Sequence, residues 1–391
     1  MATRVLIYTH AFAPQIGGVE TVVMSLAKGL AGLGGANGIG SADVTVATST
    51  LRGDFDDASL PFRVVRRPSL LELLRLIRAA DVIHLAGPSF IPMLLGLFLR
   101  KPVVVEHHGF QTICPNGQLL YEPTQTPCPG HFMAGRHSEC IRCNAQLGLL
   151  GSLKLWLLTF PRRCLCTRAR SNIMPTEWLS TLLRLPRAKT VYHGLPGIGS
   201  SDVRRSSSVQ TTFAFVGRLV STKGAYVLLK AAQQLSAEGF RYRLKVIGDG
   251  PDREALQQQA VALGLEDSVK FLGYVAPERL EEELAEAATV VMPSIAGEVF
   301  GMVAAENMSR GKLVIVSDVG AMREVVGDAG LSFAPGDARA LARCMKRILE
   351  DATLPSHLGL EAHRRASEQF GQEKMVLQHL HVYREAVRCN D

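Results

Sequence analysis

The stretch Val291–Met308, V-M-P-S-I-A-G-E-V-F-G-M-V-A-A-E-N-M, changes its periodicity twice. The apolar run Ala288–Met292 predicts a buried strand, which Pro293-Ser294 ends. A Gly-punctuated turn follows, Ala296-Gly297-Glu298-Val299-Phe300-Gly301, and after Gly301 the pattern M-V-A-A-E-N-M-S-R predicts a helix. Glu298 therefore stands on the loop and Glu306 on the helix that the loop opens. The unsatisfied N–H groups and positive dipole end of a helix starting near Gly301 attract an anion, phosphate above all. Two carboxylates repel one, so they need other partners. Hydroxyl-rich groups flanking a diphosphate would satisfy acceptors of this kind.

A second stretch is read the same way: Phe215-Val216-Gly217-Arg218-Leu219-Val220-Ser221-Thr222-Lys223-Gly224. Thr212–Val216 predicts a central parallel strand, and Gly217 permits a sharp exit from it. Arg218 offers planar two-pronged donors and Lys223 a compact charge, a combination suited to a diphosphate. Solvated surface cations are the usual fate of such residues, but the carboxyl edge of an open sheet is where ligands bind.

With these two stretches in this order, G-R-L-x-x-x-K-G at Gly217–Gly224 and E-x7-E at Glu298 and Glu306, the chain resembles the retaining nucleotide-sugar glycosyltransferases of family 4. The resemblance implies an α/β fold of the GT-B type, two facing Rossmann-like domains with a cleft between them. It implies a nucleotide-diphosphate sugar donor, UDP- or GDP-linked, with Glu306 on the ribose, Glu298 on the sugar hydroxyls, and Arg218 and Lys223 on the departing diphosphate. It adds Gly217, Phe300, Gly301 and Met302 to the donor site and brings in the backbone near Val275, after Gly273-Tyr274, to cup the base. In the first half Gly17-Gly18-Val19-Glu20 matches the family's G-G-x-E, which lets backbone at Gly17 and Gly18 approach phosphate. His108, before Gly109, matches a histidine found at a strand end, while His107 can instead point into the sheet. Glu298, His108, Arg218 and Lys223 are thus the candidate catalytic residues. The anomeric configuration would be retained, by attack from the face that the leaving group departs. No D-x-D pattern brings in a catalytic metal. A nucleotide-sugar epimerase, a phosphorylase-like enzyme of the same fold or an inactive nucleotide-sugar-binding protein stays open. An NAD oxidoreductase is disfavoured because Gly17-Gly18 is not a G-x-G-x-x-G.

Length and composition agree with two domains: 391 residues, 47% hydrophobic and 20% charged. β-α alternation places a first domain at 1–195 and a donor domain at 211–370, with a C-terminal helix, 371–391, that can cross back to the first. The Gly-rich run Gly32–Ser41 reads as a flexible turn, and Ile198–Gln210 as a flexible connection. Of the net charge of +7, residues 1–195 hold 20 Lys/Arg against 11 Asp/Glu, or +9, and the remainder −2. Without interleaved aromatics this basic half gives little support to nucleic acid. An anionic membrane surface or an acidic acceptor suits it better, beside a glycan or lipid-linked acceptor. No apolar run is long enough to span a membrane, and Met1-Ala2-Thr3-Arg4 runs directly into a strand, so the expected location is the cytoplasm, with peripheral contact on the inner membrane face open.

Between about 110 and 146 lies an insertion with Cys114, Cys128, Cys140 and Cys143. Four thiolates, two of them in a C-x-x-C knuckle, can hold a structural zinc and order a segment too rich in Pro and Gly to build a core. An iron–sulfur cluster or unconnected thiols are the alternatives; Cys344 and Cys389 read as lone thiols. Next, Leu147–Phe160, L-G-L-L-G-S-L-K-L-W-L-L-T-F, precedes a basic flank. It reads as a buried helix of the first domain in preference to an interfacial segment holding the enzyme near a lipid-linked acceptor.

Overall fold

The computed structural model describes residues 2–33, 42–197 and 211–388. Residues 34–41 of the Gly-rich turn, the connection Ile198–Gln210 and Cys389 lie outside the described residues. The chain forms two compact units, one of residues 1–119, 129–196 and 370–391, the other of residues 120–128 and 197–369.

The first unit is built on strands that are apolar on both faces, as a parallel sheet covered by helices requires. They are β1 (Thr3–Thr9), β2 (Ala42–Thr48), β3 (Arg63–Arg66), β4 (Val82–Ala86) and β5 (Val103–Glu106). After a two-stranded antiparallel pair that belongs to the second unit, β6 (Leu120–Tyr121) and β7 (Thr126–Pro127), come β8 (Ser171–Met174) and β9 (Ala188–Thr190). Seven strands run parallel in the order β3-β2-β1-β4-β5-β8-β9. The helices are α1 (Gly18–Gly32), α2 (Leu70–Ala79), α3 (Phe90–Phe98), α4 (His137–Cys143), α5 (Gly148–Cys166) and α6 (Glu177–Leu183). Ser69 caps α2 by accepting from Glu72 N at 3.2 Å, the S-x-x-E box written in the sequence.

The second unit repeats the scheme. Strands β10 (Thr212–Val216), β11 (Arg243–Ile247), β12 (Val269–Gly273), β13 (Thr289–Met292), β14 (Leu313–Ser317) and β15 (Leu331–Phe333) form a six-stranded parallel sheet in the order β12-β11-β10-β13-β14-β15. Its helices are α7 (Ala225–Ala237), α8 (Arg253–Ala262), α9 (Pro277–Ala285), α10 (Met302–Ser309), α11 (Met322–Val326), α12 (Ala338–Glu350) and α13 (Leu354–Gln369). Phe213 and Phe215 of β10 sit in its core with the apolar faces of α7 and α12. The last helix, α14 (Gln372–Arg388), belongs to the first unit and packs on α1, β4 and β5. Gly29 and Gly194 admit it closely: a Cβ on Gly29 would lie 2.4 Å from Val376 Cγ2, and one on Gly194 2.7 Å from Gln372 Cα.

In each sheet the strand order reverses once, between β1 and β4 and between β10 and β13. Loops leaving the carboxyl ends of such neighbours run to opposite faces and leave a crevice, the usual ligand site of an open α/β sheet. The E-x7-E and G-R-L-x-x-x-K-G stretches follow β13 and β10, the two strands of the second reversal.

One expectation is corrected. The apolar run after the cysteines forms α5 but is not a core helix. Of its residues only Ser152, Thr159 and Cys166 are buried, while Leu149, Leu150 and Leu157 face out, Leu150 with 83% of its surface exposed. The leucines lie all around the helix instead of along one stripe, so docking one face on the sheet leaves the others uncovered.

Candidate active site

In the second unit the two loops at the reversal are fastened to each other by backbone. Ile295 N donates to Thr222 O at 2.9 Å. Gly224 has φ +67°, and a Cβ there would stand 2.0 Å from Pro293 O. On the other side Ala321 N donates to Glu298 O at 2.8 Å, and a Cβ on Gly320 (φ +63°) would stand 2.3 Å from the same oxygen. The Glu298 backbone is thus held from β14's following turn while its side chain meets β10's. Lys223 Nζ lies 2.5 Å from Glu298 Oε1, and Ser294 Oγ donates to that oxygen at 3.0 Å. Neither side chain is sealed off: Lys223 is 34% and Glu298 18% exposed.

The two glutamates of the pattern differ electrostatically. Burial pushes the Glu298 carboxyl up, but the Lys223 charge and the hydrogen bonds from Lys223 and Ser294 outweigh it, so the group sits below its ordinary value. Burial also pushes Glu306 up, and with Glu281 adding to it against Arg310 the net direction is upward. Two carboxyls eight residues apart are therefore tuned in opposite senses, as at sites that give each a separate task.

Arg218 follows β10 and is exposed. Val275, half-buried, follows β12 on the same carboxyl edge. Gly301 is the N-cap of α10, which no side chain caps, and Met302 is its first residue. Phe300 is fully buried, so any ligand contact from it comes through backbone.

In the first unit Gly17 is the N-cap of α1 and Gly18 its first residue, with the Glu20 carboxylate folded back so that a Cβ on Gly17 would meet Glu20 Oε2 at 2.5 Å. His107 points into the sheet, its Nε2 2.9 Å from Asn172 Oδ1; burial carries its pKa down to about 4. His108 turns inward and is only 7% exposed. Its Nε2 is 3.5 Å from Glu106 Oε2, and its ring stacks on His193 with centroids 5.2 Å apart. Glu106, His84 and His379 around it were not picked out by the sequence, and His193 stood out only for its place before Gly194, with no site role. Each comes from a different element and reads alone as an ordinary core residue. The one signal available was that two apolar strands, β4 and β5, each carry one polar residue, His84 in the middle of β4 and Glu106 at the end of β5.

Of the four cysteines, Cys114, Cys140 and Cys143 are buried and Cys128 is half-buried. Asn116 links two of them: Cys114 Sγ donates to Asn116 Oδ1 at 3.0 Å, and Asn116 Nδ2 reaches to 3.9 Å from Cys143 Sγ.

Two family descriptions match the chain in turn, Glycosyltransferase Family 4 over residues 16–139 and Glycosyl transferases group 1 over residues 201–365. The second match holds every residue of the fastened loops. The chain belongs to glycosyltransferase family 4. The chain is 30% identical over 220 residues to an exopolysaccharide phosphotransferase of Streptomyces coelicolor, a match covering 55% of the chain and 23% of that protein. It is 28% identical over 293 residues to the glycogen synthase of Mycobacterium tuberculosis, covering 74% of the chain and 70% of the synthase. It spans less than half the length of the first curated relatives it matches. Its fold superposes with a TM-score of 0.70 on Anabaena HepE in complex with UDP-glucose, at 19% identity, over 96% of the chain and 97% of HepE. Two Rossmann-like parallel sheets joined in one GT-B chain are what the sequence predicted.

Proposed function

We propose that the protein transfers a glycosyl group from a nucleotide-diphosphate sugar to an acceptor hydroxyl, with retention at the anomeric carbon. The observation that carries the reading is the Lys223–Glu298 contact, set by interlocked loops at the strand reversal of the second sheet. In the reaction the bond from the anomeric carbon to the diphosphate oxygen breaks and one to the acceptor oxygen forms, while the acceptor proton passes to the departing diphosphate. Charge thus develops on the leaving phosphate, and a fixed cation beside it lowers the barrier. Lys223 has three N–H donors; one on Glu298 leaves others for phosphate. Arg218, exposed on the same loop, supplies the paired donors, Glu298 takes the sugar hydroxyls and Glu306 the ribose. UDP-glucose bound to HepE and the glucan-building activity named for the glycogen synthase support a hexose donor and a glycan acceptor. The test is turnover with UDP- and GDP-hexoses, with the product's anomeric configuration read by NMR. Retention with one donor is expected. An inverted product, epimerised donor or no turnover with any of them would reject the reading.

For the acceptor side we propose contact with an anionic lipid surface through α3 and α5, which pack together. Their outward residues include Ile91, Leu94, Leu149 and Leu157, with Phe98 82% exposed. Beyond their C-terminal ends a cavity of about 290 Å³ is lined by Arg100, Lys101, Arg168, Arg170 and Arg187. Apolar side chains beside basic ones suit an interfacial helix. No helix among the described residues is long and apolar enough to cross a membrane. Co-sedimentation with phosphatidylglycerol vesicles at physiological salt is expected for the wild type and lost in Phe98→Asp/Leu150→Asp; a wild type that stays in the supernatant contradicts it. Among the described residues no three of the cysteines bring their sulfurs within 4.8 Å of one another, so a structural zinc on the thiolates of the insertion is proposed from the C-x-x-C spacing alone. The metal analysis described next separates it from a second centre.

A further inference from the structure

Three elements of the first unit bring three polar side chains together. His84 of β4, Glu106 at the end of β5 and His379 of α14 are each fully buried. Glu106 Oε2 lies 3.1 Å from His84 Nε2 and 3.5 Å from His379 Nε2, and the ligand atoms of these three residues all lie within 4.8 Å of one another. His108 and His193 form a second group with the same carboxylate. None of His84 Nε2, His379 Nε2 and the two Glu106 oxygens has an aligned hydrogen-bond partner, although the histidines lie close enough to act on the Glu106 carboxyl electrostatically. Buried polar atoms without partners are rare, because each forfeits its hydration.

The outer contacts say what faces inward. His379 Nδ1 is 2.9 Å from Met375 O. A carbonyl only accepts, so Nδ1 carries the proton, and in the neutral ring Nε2 then presents a lone pair to the Glu106 carboxylate. Two acceptors face each other unless the ring takes a second proton or a metal cation stands between them. His84 Nδ1 is in turn fixed by Tyr383 OH at 2.9 Å. A histidine whose second nitrogen is tied to a backbone carbonyl or a side-chain partner is in the posture of a metal ligand. The distances agree. Ligands at about 2.0–2.1 Å from a tetrahedral ion stand about 3.3–3.4 Å apart, close to the 3.1 and 3.5 Å found here, whereas an N–H···O hydrogen bond centres near 2.9 Å.

We propose that His84, Glu106 and His379 bind a divalent first-row transition ion of the zinc class. Two imidazoles and one carboxylate suit that class better than magnesium or calcium, which take oxygen. Fully buried, the ion is structural. It pins α14 to the middle of β4 and the end of β5, so that helix is held by coordination as well as packing.

The test is metal analysis of the full chain after exhaustive dialysis against metal-free buffer, with zinc alone as the probe for reloading. The histidine site is expected to retain one zinc per chain that is lost in His84→Gln/His379→Gln and kept in Cys140→Ser/Cys143→Ser; a filled cysteine site adds a second equivalent to the wild type, which only the cysteine variant loses. Cobalt substitution gives a spectroscopic readout of the ligand set. A cobalt set that survives in the cysteine variant and shows d–d bands without a thiolate charge-transfer band supports the site. A wild type that is folded, zinc-reloaded and still carries no ion outside the cysteines overturns it, as does unchanged metal content in the double histidine variant.

Discussion

Lys223→Ala is expected to lower kcat/KM for sugar transfer by about 10²–10³-fold, the usual effect of deleting one preorganised donor at developing charge, with the circular dichroism spectrum unchanged. The loss has two sources. The leaving diphosphate loses a fixed cation, and Glu298 loses the partner 2.5 Å away that keeps it ionised in a largely buried place. That second part gives a pH signature. In the wild type the Glu298 carboxyl is depressed, so its contribution to stability is present above its unfolded value, near 4.5, and is lost as pH falls through the folded value. Without Lys223, burial, the largest cause, is opposed only by the Ser294 hydrogen bond and raises the group, so ionised Glu298 destabilises the variant at neutral pH. The gap in Tm between wild type and variant should therefore be widest near pH 7 and narrow as pH drops below 4.5. Equal kcat/KM, or a Tm gap that ignores pH, contradicts this role for the pair.

Gly224→Ala is expected to do more harm than its single methyl suggests. The residue sits at φ +67°, where a non-glycine L-residue pays about 1–2 kcal/mol, and its new Cβ would collide with Pro293 O at 2.0 Å. Backbone on both sides cannot turn away as a side chain can, so the loops must part by an ångström or more, at about 1–3 kcal/mol further. The expected outcome is a Tm lower by roughly 5–15 °C for the second unit and transfer lost beyond what the unfolded fraction explains, because Lys223 and Glu298 move apart. Calorimetry with activity assayed well below Tm checks both. Gly239→Ala is the control: it too has positive φ (+84°) but nothing within 4 Å of its Cβ, so it should show the backbone effect without the loss of transfer.

Much of the second unit was legible because its chemistry is contiguous. An apolar strand, a glycine and two cations at fixed spacing state by themselves where Lys223 will stand, and the same holds for Glu298 after β13. What the sequence withheld is the fastening of the loops, Thr222 to Ile295 and Glu298 to Ala321, since those partners lie tens of residues apart. The first unit was harder to read for the same reason. His108 stood out beside Gly109, yet its environment is made by Glu106, His193 and a helix from the far end of the chain. The α5 segment misled because apolar composition without a clear stripe does not say whether water or protein covers it.

The central claim is that the loops after β10 and β13 hold the diphosphate and ribose of a nucleotide sugar. Isothermal titration of UDP, with GDP in parallel, into the wild type and Glu306→Gln tests it most directly. The account predicts one site per chain for one of the two nucleotides, weakened about tenfold or more in the variant, the value of a hydrogen bond to a charged group. Equal affinity in both proteins, or no binding of either nucleotide to the wild type, would contradict it.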